Sequence, residues 1–598
     1  MKAVTKAEAL NGLSEFILSA SGWRKVFAKS GNEEDATAEI SEVDKWLFYL
    51  AATSFCEFLK ENQNTKNISV IVLGRDSRPT GTMLEKIAFY ALSSVFTVKS
   101  VGVVSAPEIM AYAKKRGFAF MYISASHNPV GHNGIKFGLP SGGVIGSDDA
   151  KKLIAKFTQK VKTTEPEYFD FLQTVLNYES KKEAFNDYVT FSKEVISGYS
   201  EPGLQNTFFD ELGNIIKNRE NPVTVVCDFN GSARSVSIDK VLFESVGIDF
   251  FSINNECGKI VHGIIPEGKN LRFCADEMRR LSTSGKAPVL GYMPDCDGDR
   301  GNIIYWDNLK NEPIVLQAQE VFALSVMAEL SYIRETEKPL AVAVNAPTSL
   351  RIEKIAEAFG AKVFRAEVGE ANVVGLADKL REEGYEVRIL GEGSNGGNIT
   401  YPSSVRDPLN TVFAILKILL LDSKSKTSLF KLWCKASGQQ KNYKNNFTLS
   451  DVMKTLPEYT TTPTQEKRAL LKIKTNDHGK LKAMYKSVFE KEWSLKQKEL
   501  NKKYGICTYK VMATNGVKQI EGLDDFSLSG RGGLKIQFYD KGNAPVGFIW
   551  MRGSGTEPVF RVMADIKGDN IEAETELVLW QGKMVAEADE LAFASEKN

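Results

Sequence analysis

Phe118-Ala119-Phe120-Met121-Tyr122-Ile123-Ser124-Ala125-Ser126-His127-Asn128-Pro129 is the stretch on which the reading of this chain turns. Six residues dominated by apolar and aromatic side chains stop abruptly at small polar residues and a proline, the pattern of a buried strand opening into a loop. Such a loop puts the Ser126 hydroxyl and the His127 imidazole at the C-terminal edge of a strand, where open α/β sheets gather their ligands. A serine so placed can carry a phosphoryl group, provided that a metal site and phosphate donors occur elsewhere in the chain.

The same syntax recurs along the sequence. Ile68–Leu73 leads into Gly74-Arg75-Asp76-Ser77-Arg78-Pro79-Thr80; Val223–Val226 leads into Asp228 and a helix near Val236–Val246; Leu340–Val344 precedes a helix near Leu350–Phe359; Val387–Leu390 runs into Gly391. Strands alternating with helices predict α/β units in series, with parallel or mixed sheets. At 598 residues the chain is too long for one core, and a prior of about 150 residues per domain gives roughly four. Toward the end, Gly533–Tyr539, Val546–Met551 and Phe560–Ala564 read as strands of a small α+β domain. Between these regions, residues 424–505 are rich in Lys, Asn and Gln. Within them Lys480–Lys503 has the pattern of a long charged helix with a thin stripe of Met484, Val488 and Leu495. Glutamates interleave with its lysines, so it is read as a solvated helix beside a linker rather than a basic surface for a polyanion.

Composition narrows the classes. A formal net charge of +1 provides no global attraction to nucleic acid or to an anionic membrane. Seven cysteines without CxxC spacing and four histidines argue against a zinc site or a disulfide framework. The first residues lack a signal-peptide core, and the most apolar helical stretch, Thr411–Leu421, is broken by Lys417 and too short to span a bilayer. The expectation is a cytoplasmic protein; Asn67 and Asn398 match glycosylation acceptors by chance.

Three further stretches carry chemistry. Asp295-Cys296-Asp297-Gly298-Asp299-Arg300 follows the apolar Val289–Met293; alternating aspartates around a glycine present hard oxygen ligands to one divalent cation, and their donor set favours Mg²⁺ over zinc. Arg300 beside them is placed to hold a phosphate. Arg552-Gly553-Ser554-Gly555-Thr556-Glu557-Pro558, with Arg561, combines backbone N–H groups freed by Gly553 and Gly555, two hydroxyls and two guanidinium forks, a set suited to a phosphate. Gly391-Glu392-Gly393-Ser394-Asn395-Gly396-Gly397 offers a carboxylate, a hydroxyl and an amide that can read sugar hydroxyls, though a plain glycine turn has the same composition.

In this order the four stretches resemble the α-D-phosphohexomutase family, which includes phosphoglucomutases, phosphomannomutases and phosphoglucosamine mutases. Ser21-Gly22-Trp23-Arg24, Gly74-Arg75-Asp76-Ser77-Arg78 and Asn133-Gly134-Ile135-Lys136 resemble three more of its elements. The resemblance implies four domains around a central cleft: 1–205 with the phosphoserine loop, 206–313 with the metal loop, 314–460 with the sugar loop, and 461–598 with a linker helix and a phosphate-binding α+β domain. It implies Ser126 as the phosphoserine, with Asp295, Asp297, Asp299 and a phosphate oxygen on Ser126 holding Mg²⁺. Glu392 and Ser394 would contact the sugar's 3- and 4-hydroxyls, and Arg552, Ser554, Gly555, Thr556 and Arg561 would hold the non-reacting phosphate. Arg24, Arg78 and Asn128 would brace the phosphoserine loop, although Arg78 has an alternative as a surface ion-pair partner. For the general base, Lys136 ranks slightly above His127, because a desolvated lysine among cations can lose its proton.

The resulting expectation is an enzyme, a phosphohexomutase interconverting hexose 1-phosphate and 6-phosphate, of glucose foremost and mannose next, with a hexose 1,6-bisphosphate as intermediate and activator. A phosphoglucosamine mutase is the alternative within the class, and a catalytically silent sugar-phosphate-binding protein the alternative outside it. Its partners would be hexose phosphates, with neither nucleic acid nor membrane, in a monomer or homodimer. Asn395 in the sugar loop and Ala371, near where many phosphoglucomutases carry a lysine, depart from the glucose-type pattern.

Overall fold

The computed structural model describes residues 4–167, 170–333, 336–394, 396–423, 426–464, 466–523, 526, 532–553 and 559–596. It is a mixed α/β protein, in two compact units: Met1–Leu316 with Ile399–Phe413, and Gln317–Asn398 with Ala414–Asn598.

The first unit holds two sheets. In the six-stranded one the order is Ile17–Ser19, Gly22–Val26, His132–Gly138, Ala119–Ile123, Val70–Arg75 and Thr97–Val103. Ala119–Ile123 is buried at all five positions, as an interior strand covered on both faces must be. It runs parallel to Val70–Arg75 and antiparallel to His132–Gly138. Ser124–Pro129 and the Asp76–Thr80 turn therefore emerge at one sheet edge, and the Asp76 N–H donates to the Ile123 carbonyl at 2.9 Å. Trp23, stacked on Phe157 at 4.8 Å and edge-on to Phe137 at 4.9 Å, fixes the strand that carries Arg24.

The second sheet of this unit runs Glu312–Val315, Gly301–Asp307, Pro288–Pro294, Thr224–Asp228, Asp249–Ile253. Pro294 and Gly301 are register partners of an antiparallel pair, so the aspartate stretch is the turn of a hairpin rather than a calcium-type loop between helices. Gly298 at φ 72° supplies the left-handed residue this turn requires.

In the second unit Lys362–Ala366, Ala341–Asn345 and Ile389–Gly391 lie side by side in that order, and the last of them opens into the glycine-rich loop. A second, antiparallel sheet is built around Leu534–Tyr539, Pro545–Gly553 and Val559–Lys567. Against it lie the helices His478–Tyr504 and Ile571–Glu596. Here the sequence reading needs correction. The charged helix is part of a packed core rather than a linker, and its apolar face is broader than the expected stripe: Leu481, Tyr485, Val488, Phe489 and Leu500 are buried in one core with Phe538, Ile549 and Trp580. Of the expected stripe, Val488 is buried and Met484 packs at the edge, whereas Leu495 is 71 % exposed. The aromatic positions at 485 and 489, one helical turn apart, set the buried face, and the lysines other than the buried Lys482 are at least partly exposed.

Phe489→Ala should lower unfolding stability by about 3–5 kcal/mol, and Leu495→Ala should change it by less than about 0.5 kcal/mol, both read from urea unfolding followed by tryptophan fluorescence. Equal effects would contradict the packed role of this helix.

Candidate functional site

The first unit brings the Ser124–Pro129 loop onto the aspartate hairpin. Ser126 is 1 % exposed and sits at φ 55°, a left-handed conformation rare for a residue with a Cβ. Its hydroxyl donates to Asp295 Oδ2 at 2.9 Å, while the Ser124 hydroxyl donates to Asp297 Oδ2 at 3.0 Å and accepts from the Ser126 N–H at 2.8 Å. Strain of this kind persists where surrounding structure over-determines the conformation. Arg78 does that here, donating through Nη2 to the carbonyls of Ser126 and Asn128 at 2.7 and 2.5 Å and pairing with Asp76. Arg78 is fully buried, which removes the alternative of a surface ion pair. Burial works against its charge, but Asp76, Cys296 and Asp297 more than compensate and raise its pKa.

Arg24 and Asn128 stand differently from expectation. Asn128 contributes its backbone carbonyl to Arg78, and its side chain makes no hydrogen bond among the described residues. The Arg24 guanidinium likewise has no hydrogen bond or ion pair among the described residues. Burial, and then the charge of Arg300, lower its pKa to about 10 in spite of Asp297 and Asp299. Arg300 is half-buried, and its Nε is buried with no hydrogen-bond partner among the described residues. Two guanidinium groups thus lie near one another with no direct ion pair among the described residues, although Asp297 and Asp299 are close enough to act on Arg24, and the guanidinium N–H groups are suited to an anion.

Asp295, Asp297 and Asp299 are all buried, and one oxygen from each lies within 4.8 Å of the others. Asp295 Oδ1 accepts from the N–H groups of Gly298 and Arg300 at 3.0 and 3.2 Å, which closes the hairpin turn. Asp297 Oδ1 and Asp299 Oδ1 have no hydrogen-bond partner among the described residues. Burial, and then the two neighbouring carboxylates, push the Asp295 carboxyl well above its ordinary range. Burial raises Asp299 too, but Arg406, Lys136 and Arg300 outweigh it and hold that carboxyl far below its ordinary range. All-oxygen donors with two carboxylate oxygens that have no hydrogen-bond partner among the described residues fit a hard divalent cation such as Mg²⁺.

The two candidate bases are both in this centre. Lys136 reaches it because Gly134, in the same strand, packs without a side chain: a Cβ there would lie 2.1 Å from the Trp23 carbonyl oxygen and 2.8 Å from that of Ser124. Its Nζ lies 2.6 Å from Asp297 Oδ2 and 3.1 Å from Asp299 Oδ2. Its nearest charged partners are therefore carboxylates, and Arg406 lies on the same Asp299 oxygen. His127 also lies beside cations: burial, then Arg300, Arg24 and Arg406, hold its pKa well below the ordinary value, and its Nδ1 is buried without a hydrogen-bond partner among the described residues.

The second unit builds the glycine loop inward. Glu392 is buried and accepts through Oε1 from the Gly369 N–H at 2.7 Å and from Asn345 Nδ2 at 3.1 Å; Asn345 Nδ2 also reaches Ser394 Oγ at 3.3 Å. Thr348 Oγ1 accepts from the Gly393 N–H at 3.0 Å. Asn395 lies outside the described residues. In the last sheet Arg552 and Arg561 are register partners; Arg552 Nε lies 3.0 Å from Glu367 Oε1, and Arg561 Nη1 donates to the Thr464 carbonyl at 3.0 Å. Ser554, Gly555 and Thr556 lie outside the described residues. Lys482, on the helix corrected above, is buried with its ammonium on the Gly532 carbonyl. Burial, against Glu367 and with Arg552, brings its pKa down to about 8. The sequence reading missed Lys482, Glu367, Asn345 and, in the first unit, Arg234, Arg406 and Asp407.

The fold is a multi-domain α/β chain with a buried serine on a carboxylate triad, and its sequence and fold are similar to those of known proteins. The family model for phosphoglucomutase/phosphomannomutase α/β/α domain I matches residues 24–164, and that for domain III matches residues 320–436. The chain is 26 % identical over 312 residues to the phosphoglucosamine mutase of Methanococcus vannielii, covering 52 % of this chain and 61 % of the relative. To that of Lactobacillus gasseri it is 28 % identical over 377 residues, covering 62 % and 73 %. It thus spans about three-fifths of the length of the archaeal relatives it matches. Its fold is similar to that of the phosphoglucomutase parafusin from Paramecium, with a TM-score of 0.61 at 16 % identity over 96 % of this chain and 95 % of that one. A phosphoglucomutase/phosphomannomutase family protein from Burkholderia thailandensis gives a TM-score of 0.57 at 17 % identity over 95 % and 97 %. Both matched family models are of phosphoglucomutase/phosphomannomutase domains, so the chain is similar to the α-D-phosphohexomutase family in sequence over these two segments and in fold. Among the described residues no helix is long and apolar enough to cross a membrane.

Burial, Asp297 and Asp299 disfavour the ionised form of Asp295, which a cation would favour. Asp295→Asn should therefore stabilise the metal-free protein by about 1 kcal/mol in urea unfolding with EDTA. A lower unfolding midpoint would show that the carboxylates are already balanced without metal.

Proposed function

We propose that this protein is a phosphohexomutase that interconverts hexose 1-phosphate and hexose 6-phosphate through phosphorylated Ser126 and a hexose 1,6-bisphosphate. The observation that carries the reading is the buried Ser126 hydroxyl, 2.9 Å from Asp295 within a three-carboxylate cluster, with the Arg24 and Arg300 guanidinium groups close to that cluster. Transfer of a phosphoryl group demands positioning and charge neutralisation more than covalent chemistry. In the first half-reaction a sugar hydroxyl oxygen forms the new P–O bond as the bond to Ser126 Oγ breaks, and its proton passes to a base. Asp295, Asp297 and Asp299 would hold Mg²⁺, which when bound supplies positive charge against the phosphoryl oxygens. Arg24 and Arg300 lie ready to bind phosphoryl oxygens directly; Arg78 and Ser124 hold the serine in its attacking conformation.

For the base we take His127 over Lys136. His127 brings an unpartnered buried Nδ1, whereas the Lys136 ammonium is donor-only and already shared between Asp297 and Asp299. In the second unit, Glu392 and Ser394, oriented by Asn345, are the groups for the sugar hydroxyls, and Arg552 and Arg561 with Ser554, Gly555 and Thr556 the groups for the far phosphate. The four spans of the sequence reading, 1–205, 206–313, 314–460 and 461–598, are the proposed domains. Glucose, then mannose, is the sugar proposed first, although Asn395 and Ala371 depart from the glucose-type pattern. A second reading, glucosamine, is favoured by the curated relatives, of which those from Methanococcus and Lactobacillus are phosphoglucosamine mutases.

Ser126→Ala should abolish both mutase turnover and the single phosphate seen by intact mass; normal turnover in that variant would end the assignment. Parallel kcat/KM values for glucose, mannose and glucosamine 1-phosphates, with the 1,6-bisphosphate present, decide the sugar: a preference of tenfold or more, about 1.4 kcal/mol, for glucosamine selects the second reading. His127→Gln should lower kcat by about 10²-fold or more while KM changes little, and a parental kcat would return the proton to Lys136.

A further inference from the structure

Residues 399–413 follow the glycine-rich loop in sequence, yet they pack within the first unit. There the dipeptide Arg406-Asp407 grips the aspartate hairpin at two points. Arg406 Nη2 lies 3.1 Å from Asp299 Oδ2, sharing that oxygen with Lys136. Asp407 Oδ1 accepts from Arg234 Nη1 at 3.0 Å, and the same Nη1 donates to the Gly298 carbonyl at 3.2 Å. Arg234 is fully buried and is held on its other edge by Asp239, with Nε at 2.9 Å from Oδ1. Asp407 is steadied by the Tyr188 hydroxyl at 2.6 Å and by the Leu409 N–H at 2.9 Å.

Burying an arginine between two carboxylates is a poor route to stability, because desolvation consumes most of the Coulombic gain. The hairpin turn itself is closed by its own hydrogen bonds to Asp295. What the clasp adds is orientation: the position of the Gly298 peptide at the apex of the turn, and the rotation of the Asp299 carboxylate, whose Oδ2 is engaged while Oδ1 is left without a hydrogen-bond partner among the described residues. A Cβ at Gly298 would lie 2.3 Å from Arg234 Cγ, so the arginine stem is seated directly against the turn.

We propose that Arg406-Asp407 is a positioning element of the metal loop, Arg406 orienting Asp299 directly and Asp407 orienting the Gly298 turn through Arg234. The proposal rests on the reading of the three aspartates as a divalent-cation site. Outer-shell partners of this kind are worth about 10–100-fold in metal affinity. Charge alone predicts the reverse for Arg406, since removal of a cation beside three carboxylates tightens binding of another cation.

The test is Mn²⁺ binding to the purified full-length protein, read from the free-ion EPR signal, for the parent, Arg406→Gln, Arg406→Lys and Asp407→Asn, with circular dichroism and urea unfolding as controls for folding. Arg406→Gln should weaken Mn²⁺ binding by tenfold or more, and Arg406→Lys, which keeps the charge without the planar fork, should recover only part of it. Asp407→Asn should weaken binding to a similar extent; should that variant not fold, Tyr188→Phe, which removes one hydrogen bond from Asp407, should give a smaller loss of the same sign. Mn²⁺ affinity in Arg406→Gln equal to or tighter than that of the parent overturns the proposal and leaves the metal site intact. A parent protein that binds no Mn²⁺ overturns the proposal together with the functional reading beneath it.

Discussion

The contact between Ser126 and Asp295 is the point on which the first unit's chemistry depends. It joins a loop at the edge of one sheet to the hairpin turn of another, and each side is costly alone. Ser126 occupies a backbone region that favours glycine, and the three aspartates confine like charge in the protein interior. Neither would persist without the groups that surround them: Arg78 and Ser124 on the serine side, Lys136, Arg406 and the turn N–H groups on the other. Cost concentrated in this way marks a site rather than a scaffold.

The electrostatic arrangement is divided. On the carboxylate side, Lys136 and Arg406 draw Asp299 far below its ordinary range while Asp295 is pushed up, so the cluster carries unequal charge before any cation arrives. On the other side, Arg24 and Arg300 feel the aspartates without a direct ion pair among the described residues, and burial and these guanidinium groups hold the His127 pKa well below its ordinary value. The proposed mechanism places a phosphoryl group against these guanidinium groups and a divalent cation against the carboxylates.

Much of this was legible in the residues. The apolar run ending at Ser124 named its own strand and loop, because burial on both faces leaves an uninterrupted hydrophobic string. Alternating aspartates around Gly298 announced oxygen ligands, since the spacing within a six-residue turn leaves them little room to diverge. Helix 478–504 was misread because its many lysines conceal a buried face of Leu481, Tyr485, Val488 and Phe489, which period-3.6 arithmetic recovers only when aromatic positions outweigh Leu495. Asp407-Pro408 has the form of a helix start, which gives the Asp407 backbone role. Its grip on Arg234, like that of Arg406 on Asp299, spans more than a hundred residues, and local pattern carries no signal for such pairing. The choice between His127 and Lys136 likewise turned on partners from the aspartate hairpin, invisible in the neighbourhood of either residue.

The most direct measurement is a single-turnover chase. Protein carrying one labelled phosphate on Ser126 is mixed with excess unlabelled hexose 1-phosphate, and the fate of the label is followed in time. Relay through the serine predicts that label leaves first in a hexose 1,6-bisphosphate and then distributes into hexose monophosphates. Label appearing as inorganic phosphate, or remaining on the protein while hexose 6-phosphate accumulates, would contradict the central role of Ser126.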